Sequence, residues 1–255
     1  MTVPKNNFKA RLKSSETQIG LWLSLGEATV AELASGVGFD WLVIDGEHGP
    51  NGLRDILAQL RGVANRTSAV VRPRDDNRAE IKQMLDIGAQ TLLIPMIESG
   101  SQAKEAIRSA LYPPQGVRGV GAALARASDY GAITDYLAHA NDEICILLQV
   151  ESRAGISALD DILALDRLDG VFVGPADLAA DMGYPGRPAA DEVQEVVINT
   201  INCIQRAGKA AGILTSDPGL QKSYQELGVE FLAVGSDVGT LRSSLTKLYA
   251  RFAPS

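Results

Sequence analysis

The segment 37–44, Val-Gly-Phe-Asp-Trp-Leu-Val-Ile, recurs in outline at 87–94 (Ile-Gly-Ala-Gln-Thr-Leu-Leu-Ile) and at 227–234 (Leu-Gly-Val-Glu-Phe-Leu-Ala-Val). In each copy a glycine follows an amphipathic stretch, and a continuous apolar run begins three residues after it. A glycine in this place takes the left-handed conformation that ends a helix before the chain turns into a strand. Apolar runs without alternation are typical of parallel strands buried on both faces. The repeat therefore predicts helix–strand units of a parallel α/β fold.

Eight strand-like apolar runs lie along the chain, at 19–24, 41–44, 69–72, 92–95, 144–150, 171–173, 211–214 and 231–234. Amphipathic stretches separate several of them, at 52–64, 78–87, 101–110, 192–207 and 220–227. A chain of 255 residues with no break in composition is typical of one closed (β/α)8 barrel. We therefore predict an α/β fold, a (β/α)8 TIM barrel in one domain over 1–255, with a long insert at 112–141 and an apolar-striped last helix at 238–252.

Composition and charge narrow the class of protein. An apolar content of 45% and a charged content of 22% are ordinary for a soluble globular chain. The net charge of −7 and the lack of a lysine or arginine cluster argue against nucleic acid as a partner. No apolar run is long enough for a membrane span, and the N-terminus has no apolar signal core. Cys145 and Cys203 lie in apolar-periodic segments, which predicts buried free thiols in a reducing compartment. These features predict a cytoplasmic enzyme.

Two acidic residues, Glu151 and Asp177, each follow a short apolar run and lie about one strand-plus-helix unit apart. Because parallel strands run the same way, both carboxylates should emerge at the same rim of the barrel. Two converging carboxylates with room for water and a chelating substrate can hold a hard divalent cation. The alternative is that each acid merely caps the helix after its strand.

Histidine is scarce, with only two in the chain. His139 lies in a polar helical context and is expected at the surface. His48 lies on a glycine-flanked turn, Asp45-Gly-Glu-His-Gly-Pro-Asn, just after the second strand, where an imidazole can face a pocket. A purely structural role for His48 in the turn remains the alternative.

Two more strand ends carry polar side chains. Arg72 closes the third strand before Pro73, which points a permanent cation at the rim. Its alternative role is a salt bridge to Asp45 or Glu47, and both roles are compatible. Gln149 is two residues before the acid that follows the fifth strand, so both share one strand face.

Several catalytic devices are missing from the sequence. None of the lysines ends a predicted strand, and Lys209 comes before one, at the opposite rim. A Schiff-base mechanism is therefore disfavoured. The sequence also has no serine nucleophile elbow, no Walker loop and no dinucleotide glycine fingerprint.

Six motifs together resemble the HpcH/HpaI family of metal-dependent pyruvate aldolases: FDWLVIDGEHGPN, VVRP, IKQMLDIGAQTLLIPMIES, YPPQGVRGVG, LLQVESRAG and VFVGPADLAADMGYPG. The likeness runs over nearly the whole chain and is strongest to the branch of 4-hydroxy-2-oxoheptanedioate and 2-keto-3-deoxy sugar-acid aldolases, class II enzymes of aromatic or sugar-acid catabolism. It implies a barrel of the phosphoenolpyruvate/pyruvate type with an exchanged C-terminal helix, and a homohexamer built as a trimer of dimers.

The resemblance also implies a chemistry, the reversible retro-aldol cleavage of 4-hydroxy-2-oxo acids to pyruvate and an aldehyde through a metal-stabilised enolate. Glu151 and Asp177 would bind Mg2+, Mn2+ or Co2+, which pyruvate or another 2-oxo acid chelates. The amides of Ala176 and Asp177 would hold the substrate carboxylate, with Gln149 beside it, and Trp22 and Leu214 would wall the aldehyde side.

The catalytic residues implied by the resemblance are Arg72 at the keto oxygen, Asp45, and His48 paired with Asp86 of a neighbouring subunit. A metal-bound water is the alternative base. Gly49 stands where relatives often carry alanine, and the loop 73–77 is unusually charged, so the acceptor aldehyde stays open. Two other functions also stay open: an enolate lyase acting on a CoA thioester, and a barrel that binds 2-oxo acids without catalysis.

Overall fold

The computed structural model describes residues 2–14, 16–64 and 66–252. In it, eight parallel strands pair in chain order and close into a barrel through the pairing of the first with the last. The strands are β1 (Gln18–Leu23), β2 (Trp41–Asp45), β3 (Ser68–Arg72), β4 (Thr91–Ile94), β5 (Cys145–Val150), β6 (Gly170–Val173), β7 (Ala210–Leu214) and β8 (Phe231–Ser236). The predicted (β/α)8 barrel is confirmed. The largest error at a strand end is in β8, predicted to end at 234 and observed to end at Ser236.

Twelve α-helices lie in the described parts of the chain. They are α1 (Asn7–Arg11), α2 (Ala28–Ser35), α3 (Leu53–Val63), α4 (Arg78–Asp86), α5 (Gly100–Ala110), α6 (Tyr136–Glu143), α7 (Arg153–Ser157), α8 (Leu159–Leu163), α9 (Pro175–Asp181), α10 (Asp191–Arg206), α11 (Pro218–Glu226) and α12 (Asp237–Ala250). The five predicted amphipathic stretches correspond to α3, α4, α5, α10 and α11. The sequence pattern does not predict α2, because this helix buries small side chains such as Ala31 and Ala34 and exposes Leu33.

Glycines end the helices before three strands, as the repeat predicts. Gly38, Gly88 and Gly228 have φ values of +115°, +103° and +78°. Side chains with a β-carbon rarely adopt this region, so glycine lets the chain reverse from helix to strand at little cost.

Aromatic side chains fill the barrel interior, and α1 closes its N-terminal end. Phe8 of α1 is fully buried, and its ring centroid lies 5.7 Å from that of Trp41 and 5.8 Å from that of Phe231. A β-carbon at Gly20 would collide with the Trp41 indole, and one at Gly212 would collide with the Phe231 ring. These two glycines make room for large rings inside a closed barrel, where packing leaves few voids.

The insert at 112–141 contains two short 3-10 turns, Ala122–Leu124 and Arg126–Ser128, and the beginning of α6. His139, on α6, is exposed at the surface as predicted. Cys145 and Cys203 are both free thiols; Cys145 is buried, whereas Cys203 is only half-buried. Among the described residues, no helix is both long and apolar enough to cross a bilayer.

The last helix, α12, stands off the barrel. Asp237 at its start is buried and accepts hydrogen bonds from the backbone N–H groups of Ser24 (3.0 Å) and Leu25 (3.0 Å). Every residue after Asp237 in this helix is exposed, including an apolar stripe of Val238, Leu241, Leu245 and Leu248. The predicted last helix is thus observed, but its apolar face contacts no core in this chain.

Candidate active site

The carboxyl ends of the strands form one rim, and most of the predicted site residues lie on it. Asp45 ends β2 and Arg72 ends β3, and the register of these two strands makes them direct neighbours. Glu151 directly follows β5, and Gly174 directly follows the neighbouring β6. Closure of the barrel brings these strand ends around one mouth.

Asp45 and Arg72 form a buried, two-pronged ion pair. The Arg72 Nε donates to Asp45 Oδ1 at 2.9 Å, and its Nη2 donates to Oδ2 at 2.8 Å. The two side chains are only 2% and 7% exposed. Burial raises the pKa of Asp45. The hydrogen bonds and the charge of Arg72 lower it, as do the backbone N–H groups of Glu47 and His48, and together they outweigh burial. The pKa of Asp45 therefore lies below its ordinary value. Asp45 is therefore a fixed anion that orients Arg72.

Trp22 and Glu47 complete the surroundings of Arg72. The Trp22 indole N–H donates to Asp45 Oδ2 at 3.2 Å, and the guanidinium carbon lies 4.9 Å from the centroid of the Trp22 ring. Glu47 Oε2 is 2.6 Å from Arg72 Nη1, though not aligned for a hydrogen bond. Among the described residues only Asp45 accepts hydrogen bonds from the guanidinium, at two of its five N–H groups, which leaves three without an acceptor. The salt bridges of Arg72 to Asp45 and to Glu47 thus occur together, and Arg72 still has N–H groups without an acceptor.

Glu151 is buried and held at both carboxylate oxygens. Its Oε1 accepts the backbone N–H of Met96 at 2.9 Å, and its Oε2 accepts Nε2 of Gln149 at 2.5 Å. A β-carbon at Gly174 would lie 2.5 Å from Oε2, so only glycine allows this approach. Burial raises the pKa of Glu151 more than these two hydrogen bonds lower it, and the charges of Glu47 and Asp177 raise it too.

Gln149 has an unpartnered oxygen. Its Oε1 is buried and accepts no hydrogen bond, whereas its Nε2 donates one to Glu151. A buried acceptor without a partner costs free energy until a donor or a cation reaches it. The predicted substrate-binding residue therefore presents an open acceptor next to the predicted metal ligand.

Asp177 lies in the first turn of α9 and is exposed. Its charge is the smallest of the causes that raise the pKa of Glu47 and of Glu151, as expected of an acid at the same rim of the barrel. The first helical hydrogen bond of α9 runs from the Leu178 N–H to the Gly174 carbonyl at 3.2 Å. The N–H groups of Ala176 and Asp177 precede it and have no intrahelical acceptor, as expected at a helix start.

The capping alternative for the two acids is wrong. Ser152, not Glu151, caps α7, because its side chain accepts the N–H of Gly155 at 3.1 Å. The cap position of α9 is Gly174, and no side chain there accepts a cap hydrogen bond. Neither acid is consumed by helix capping.

The charge balance of the rim suits a cation. Arg72 is the one cation in contact with Asp45 and Glu47, and two further carboxylates, Glu151 and Asp177, have none against them among the described residues. Oxygen ligands are those that Mg2+ and similar ions prefer. Among the described residues no group of three or more histidines, cysteines and acids is gathered tightly enough to cage an ion. The donor set therefore fits a divalent ion whose remaining ligands come from water and a chelating substrate.

His48 lies on the exposed outer part of the β2–α3 turn. Its backbone N–H donates to Asp45 Oδ1 at 3.3 Å. Asn51 braces the same turn from below: its Nδ2 donates to the Asp45 carbonyl at 2.6 Å, and its Oδ1 accepts Nε2 of Gln59 at 2.6 Å. The imidazole thus sits on a backbone fixed by buried contacts while its ring remains accessible.

The two remaining predicted residues lie at opposite ends of the barrel, Leu214 at the carboxyl ends of the strands and Asp86 at their amino ends. Leu214 ends β7, is half-buried, and packs against the inner cluster that contains Trp22 and Phe172. Asp86 ends α4, which runs back toward the amino ends of the strands, so it lies at the opposite rim. There its Oδ1 accepts a hydrogen bond from Arg118 at 2.7 Å. One chain therefore does not bring Asp86 to its own His48.

Two residues of the site were not singled out in the sequence: Asn51 as the brace of the turn, and Met96 as a donor to Glu151. Asn51 is a polar residue within the turn that follows β2, which is a usable signal. Met96 acts through its backbone, and no residue pattern reports that.

A hollow of about 370 Å³ lies elsewhere, on the outside of the barrel between α8 and α10. It is lined by Asp160, Cys203 and Arg206, among others, and contains none of the predicted site residues. The convergent charges at the rim identify the candidate site better than this hollow does.

Comparison with known proteins shows the family of the chain. Residues 18–244 match the family model described as HpcH/HpaI aldolase/citrate lyase. The chain belongs to the HpcH/HpaI aldolase/citrate lyase family. It is 52% identical over 253 residues to a hydroxypyruvate/pyruvate aldolase of Pseudomonas aeruginosa, with 99% of this chain and 94% of that protein covered.

Two further members of the HpcH/HpaI family resemble this chain over nearly its whole length. A 4-hydroxy-2-oxo-heptane-1,7-dioate aldolase of Salmonella dublin is 52% identical over 249 residues, covering 97% of this chain and 95% of that protein. The crystal structure of a family protein from Burkholderia cenocepacia J2315 superposes with a TM-score of 0.93 at 37% identity, covering 98% of this chain and all of that one. The resemblance read from the motifs is confirmed.

Proposed function

We propose that this protein is a pyruvate aldolase, a carbon–carbon lyase that cleaves 4-hydroxy-2-oxo acids reversibly to pyruvate and an aldehyde with the help of a divalent cation. The aldolase relatives at 52% identity support the reaction class. The observation that carries the proposal is the buried Glu151, held at both oxygens beside the open acceptor of Gln149 and within the field of Asp177.

In the cleavage direction a base removes the proton from the 4-hydroxyl group and the bond between C3 and C4 breaks. The aldehyde leaves, and the electron pair passes through C3 to the keto oxygen as an enolate. Arg72 stabilises that charge with N–H groups that Asp45 does not occupy, since Asp45 and Glu47 hold the guanidinium before substrate arrives. Protonation of C3 then gives pyruvate.

Glu151 and Asp177 would hold the cation, with Gln149 beside them. A bound divalent cation supplies Lewis-acid stabilisation of the negative charge at the keto oxygen. The N–H groups of Ala176 and Asp177 at the start of α9 would bind the substrate carboxylate, because the first turn of a helix leaves such groups without an intrahelical acceptor. Mg2+, Mn2+ and Co2+ all suit this oxygen-rich set.

His48 is the proposed proton carrier, because its imidazole is exposed on the turn that follows β2 and can both accept and donate a proton. Water in the site is the alternative base. Asp86 reaches such an imidazole only from another copy of the chain, since its own His48 is at the other end of the barrel. Trp22 and Leu214 line the side on which the aldehyde leaves.

We also propose that the chain assembles as a hexamer, a trimer of dimers that exchange α12. The stripe Val238, Leu241, Leu245 and Leu248 lies on one face of a helix whose residues after Asp237 are all exposed. A helix of this length is marginal in water by itself, so a second copy is the natural cover for its apolar face. Leu245→Asp should lower the assembly state in mass photometry; an unchanged hexamer or a wild-type monomer would contradict the exchange.

We also propose a cytoplasmic location, because both cysteines of the chain are free thiols and free thiols are typical of a reducing compartment.

The deciding experiment is cleavage of 4-hydroxy-2-oxo acids followed through pyruvate release, with and without EDTA and with Mn2+ restored afterwards. We expect loss of turnover with the chelator and recovery with the metal. Turnover that survives chelation, together with an imine between enzyme and substrate that borohydride traps, would instead indicate a lysine mechanism. Cleavage of CoA thioesters but of no free acid would favour the alternative enolate lyase, and binding of pyruvate without turnover would favour the binding barrel.

A further inference from the structure

The loop between β4 and α5, residues 95–99, contains a strained residue next to Glu151. Met96 has a φ of +56°, a region that residues other than glycine and asparagine rarely enter. Its side chain is 47% exposed, so side-chain burial does not explain the conformation. Strain of this kind persists only where the surrounding structure fixes it, and it often occurs at functional sites.

The conformation of Met96 aims two successive N–H groups at β5. The Met96 N–H donates to Glu151 Oε1 at 2.9 Å, and the Ile97 N–H donates to the main-chain carbonyl of Gln149 at 3.0 Å. One loop thus holds both the carboxylate and the backbone of the strand that carries it. With Nε2 of Gln149 on the other oxygen, Glu151 cannot turn about its side-chain bonds.

Gln102 locks the loop in turn. From the first turn of α5, its Nε2 donates to the Met96 carbonyl at 3.0 Å, and its Oε1 accepts the Glu98 N–H at 2.8 Å. The backbone N–H of Gln102 donates to the capping Ser99 Oγ at 3.2 Å, which ties the brace to the helix start. Gln102 makes no contact with Glu151 itself.

We propose that Met96 and Gln102 are positioning residues for the divalent cation: the left-handed backbone at Met96, braced by Gln102, presets the carboxylate of Glu151. The inference rests on the proposed function, in which Glu151 is a ligand. Outer partners that orient a ligand typically change metal affinity by about 10-fold to 100-fold when removed. The proposed role of Met96 depends on its left-handed backbone conformation and not on its thioether side chain.

Two sets of variants separate this role from a general effect on folding. Met96→Asn keeps the left-handed region accessible, whereas Met96→Val places a β-branched residue where that region is most disfavoured. Gln102→Leu removes both brace bonds at similar size. Gln221→Leu is its matched control, because Nε2 of Gln221 likewise donates to two backbone carbonyls, those of Thr215 (3.1 Å) and Val234 (2.9 Å), at the other side of the barrel.

The measurement is calorimetric titration of each full-length variant with Mn2+ alone, together with amide hydrogen exchange of segment 95–99 in the metal-free protein. We expect Met96→Val and Gln102→Leu to weaken Mn2+ binding about tenfold and to speed exchange, and Met96→Asn and Gln221→Leu to stay within about twofold of wild type.

Wild-type affinity in both Met96→Val and Gln102→Leu would overturn the positioning role and leave the aldolase proposal standing. Equal losses in Met96→Asn and Met96→Val would overturn the argument from the left-handed backbone. A wild-type protein that binds no Mn2+, with or without pyruvate, would remove the proposed function and this inference with it. If Met96→Val does not fold, the comparison of Gln102→Leu with Gln221→Leu decides the matter.

Discussion

Replacing Asp45 by asparagine tests how the site holds Arg72. The change keeps the shape of the side chain but removes the charge that faces Nε and Nη2 at 2.9 and 2.8 Å. An asparagine amide would turn one of its donors toward the donors of the guanidinium, so one of the two hydrogen bonds is lost. Breaking a buried ion pair costs roughly 3–5 kcal/mol, and the lower end applies because Glu47 still contacts Nη1.

A loss of about 3 kcal/mol should lower the melting temperature by about 6–12 °C in a chain of this size. Turnover should fall about 100-fold, as for loss of one oxyanion stabiliser, because Arg72 loses the anion that sets its plane. Asp40→Asn is the matched control. Asp40 pairs with Arg11 at the same 2.8 Å, but there both side chains are partly exposed. Such a pair contributes at most about 1 kcal/mol.

The pH dependence gives a second readout for Asp45. Its pKa in the folded protein lies below the ordinary value of 3.8, because Arg72 and two backbone N–H groups outweigh the effect of burial. A lowered carboxyl pKa contributes stability above the ordinary value, and that stability is lost as the pH falls toward the folded value. The gap in unfolding free energy between wild type and Asp45→Asn should therefore be full at pH 7 and narrow below pH 3.8. Equal stability at pH 7, or a gap that persists undiminished in acid, would refute the reasoning.

Three further outcomes are expected of the site. Glu151→Gln and Asp177→Asn should each abolish Mn2+ binding and turnover, and an unchanged calorimetric affinity would show that the acid is not a ligand. Arg72→Ala should reduce kcat at least about 100-fold, and an unchanged kcat with a lower melting temperature would make its role structural. His48→Ala should slow exchange of the methyl protons of pyruvate, followed by NMR, far more than it weakens Mn2+ binding; the reverse pattern would make His48 a ligand.

Local sequence patterns predict much of the fold. The strands are visible because each is a continuous apolar run, and the glycines before β2, β4 and β8 mark where a helix must end. The short helices α7, α8 and α9 carry no periodic pattern of useful length, so the sequence predicts no bounds for them. The acids and the arginine of the site were found because chemistry in a barrel sits at strand ends.

Contacts between distant segments set the limit of that prediction. The sequence left open whether Arg72 serves the substrate, a salt bridge or both. Only the register of β2 with β3 and the packing of the turn show that it contacts both Asp45 and Glu47 while hydrogen bonds occupy just two of its five N–H groups. The exposure of α12 could not be predicted from the sequence either. An apolar stripe on a helix indicates that this face will be covered, but it does not indicate whether its own chain or another chain covers it.

The sequence by itself determined that the chain forms eight parallel units and that acids, an arginine and a histidine stand at their carboxyl ends, since period and position along the chain are local properties. The tertiary structure alone decided that Glu151 is buried and held by the backbone of Met96, that neither Glu151 nor Asp177 is spent on a helix cap, and that Asp86 lies at the far rim. These facts depend on strand register, barrel closure and one strained backbone angle, which arise only when segments far apart in the chain pack together.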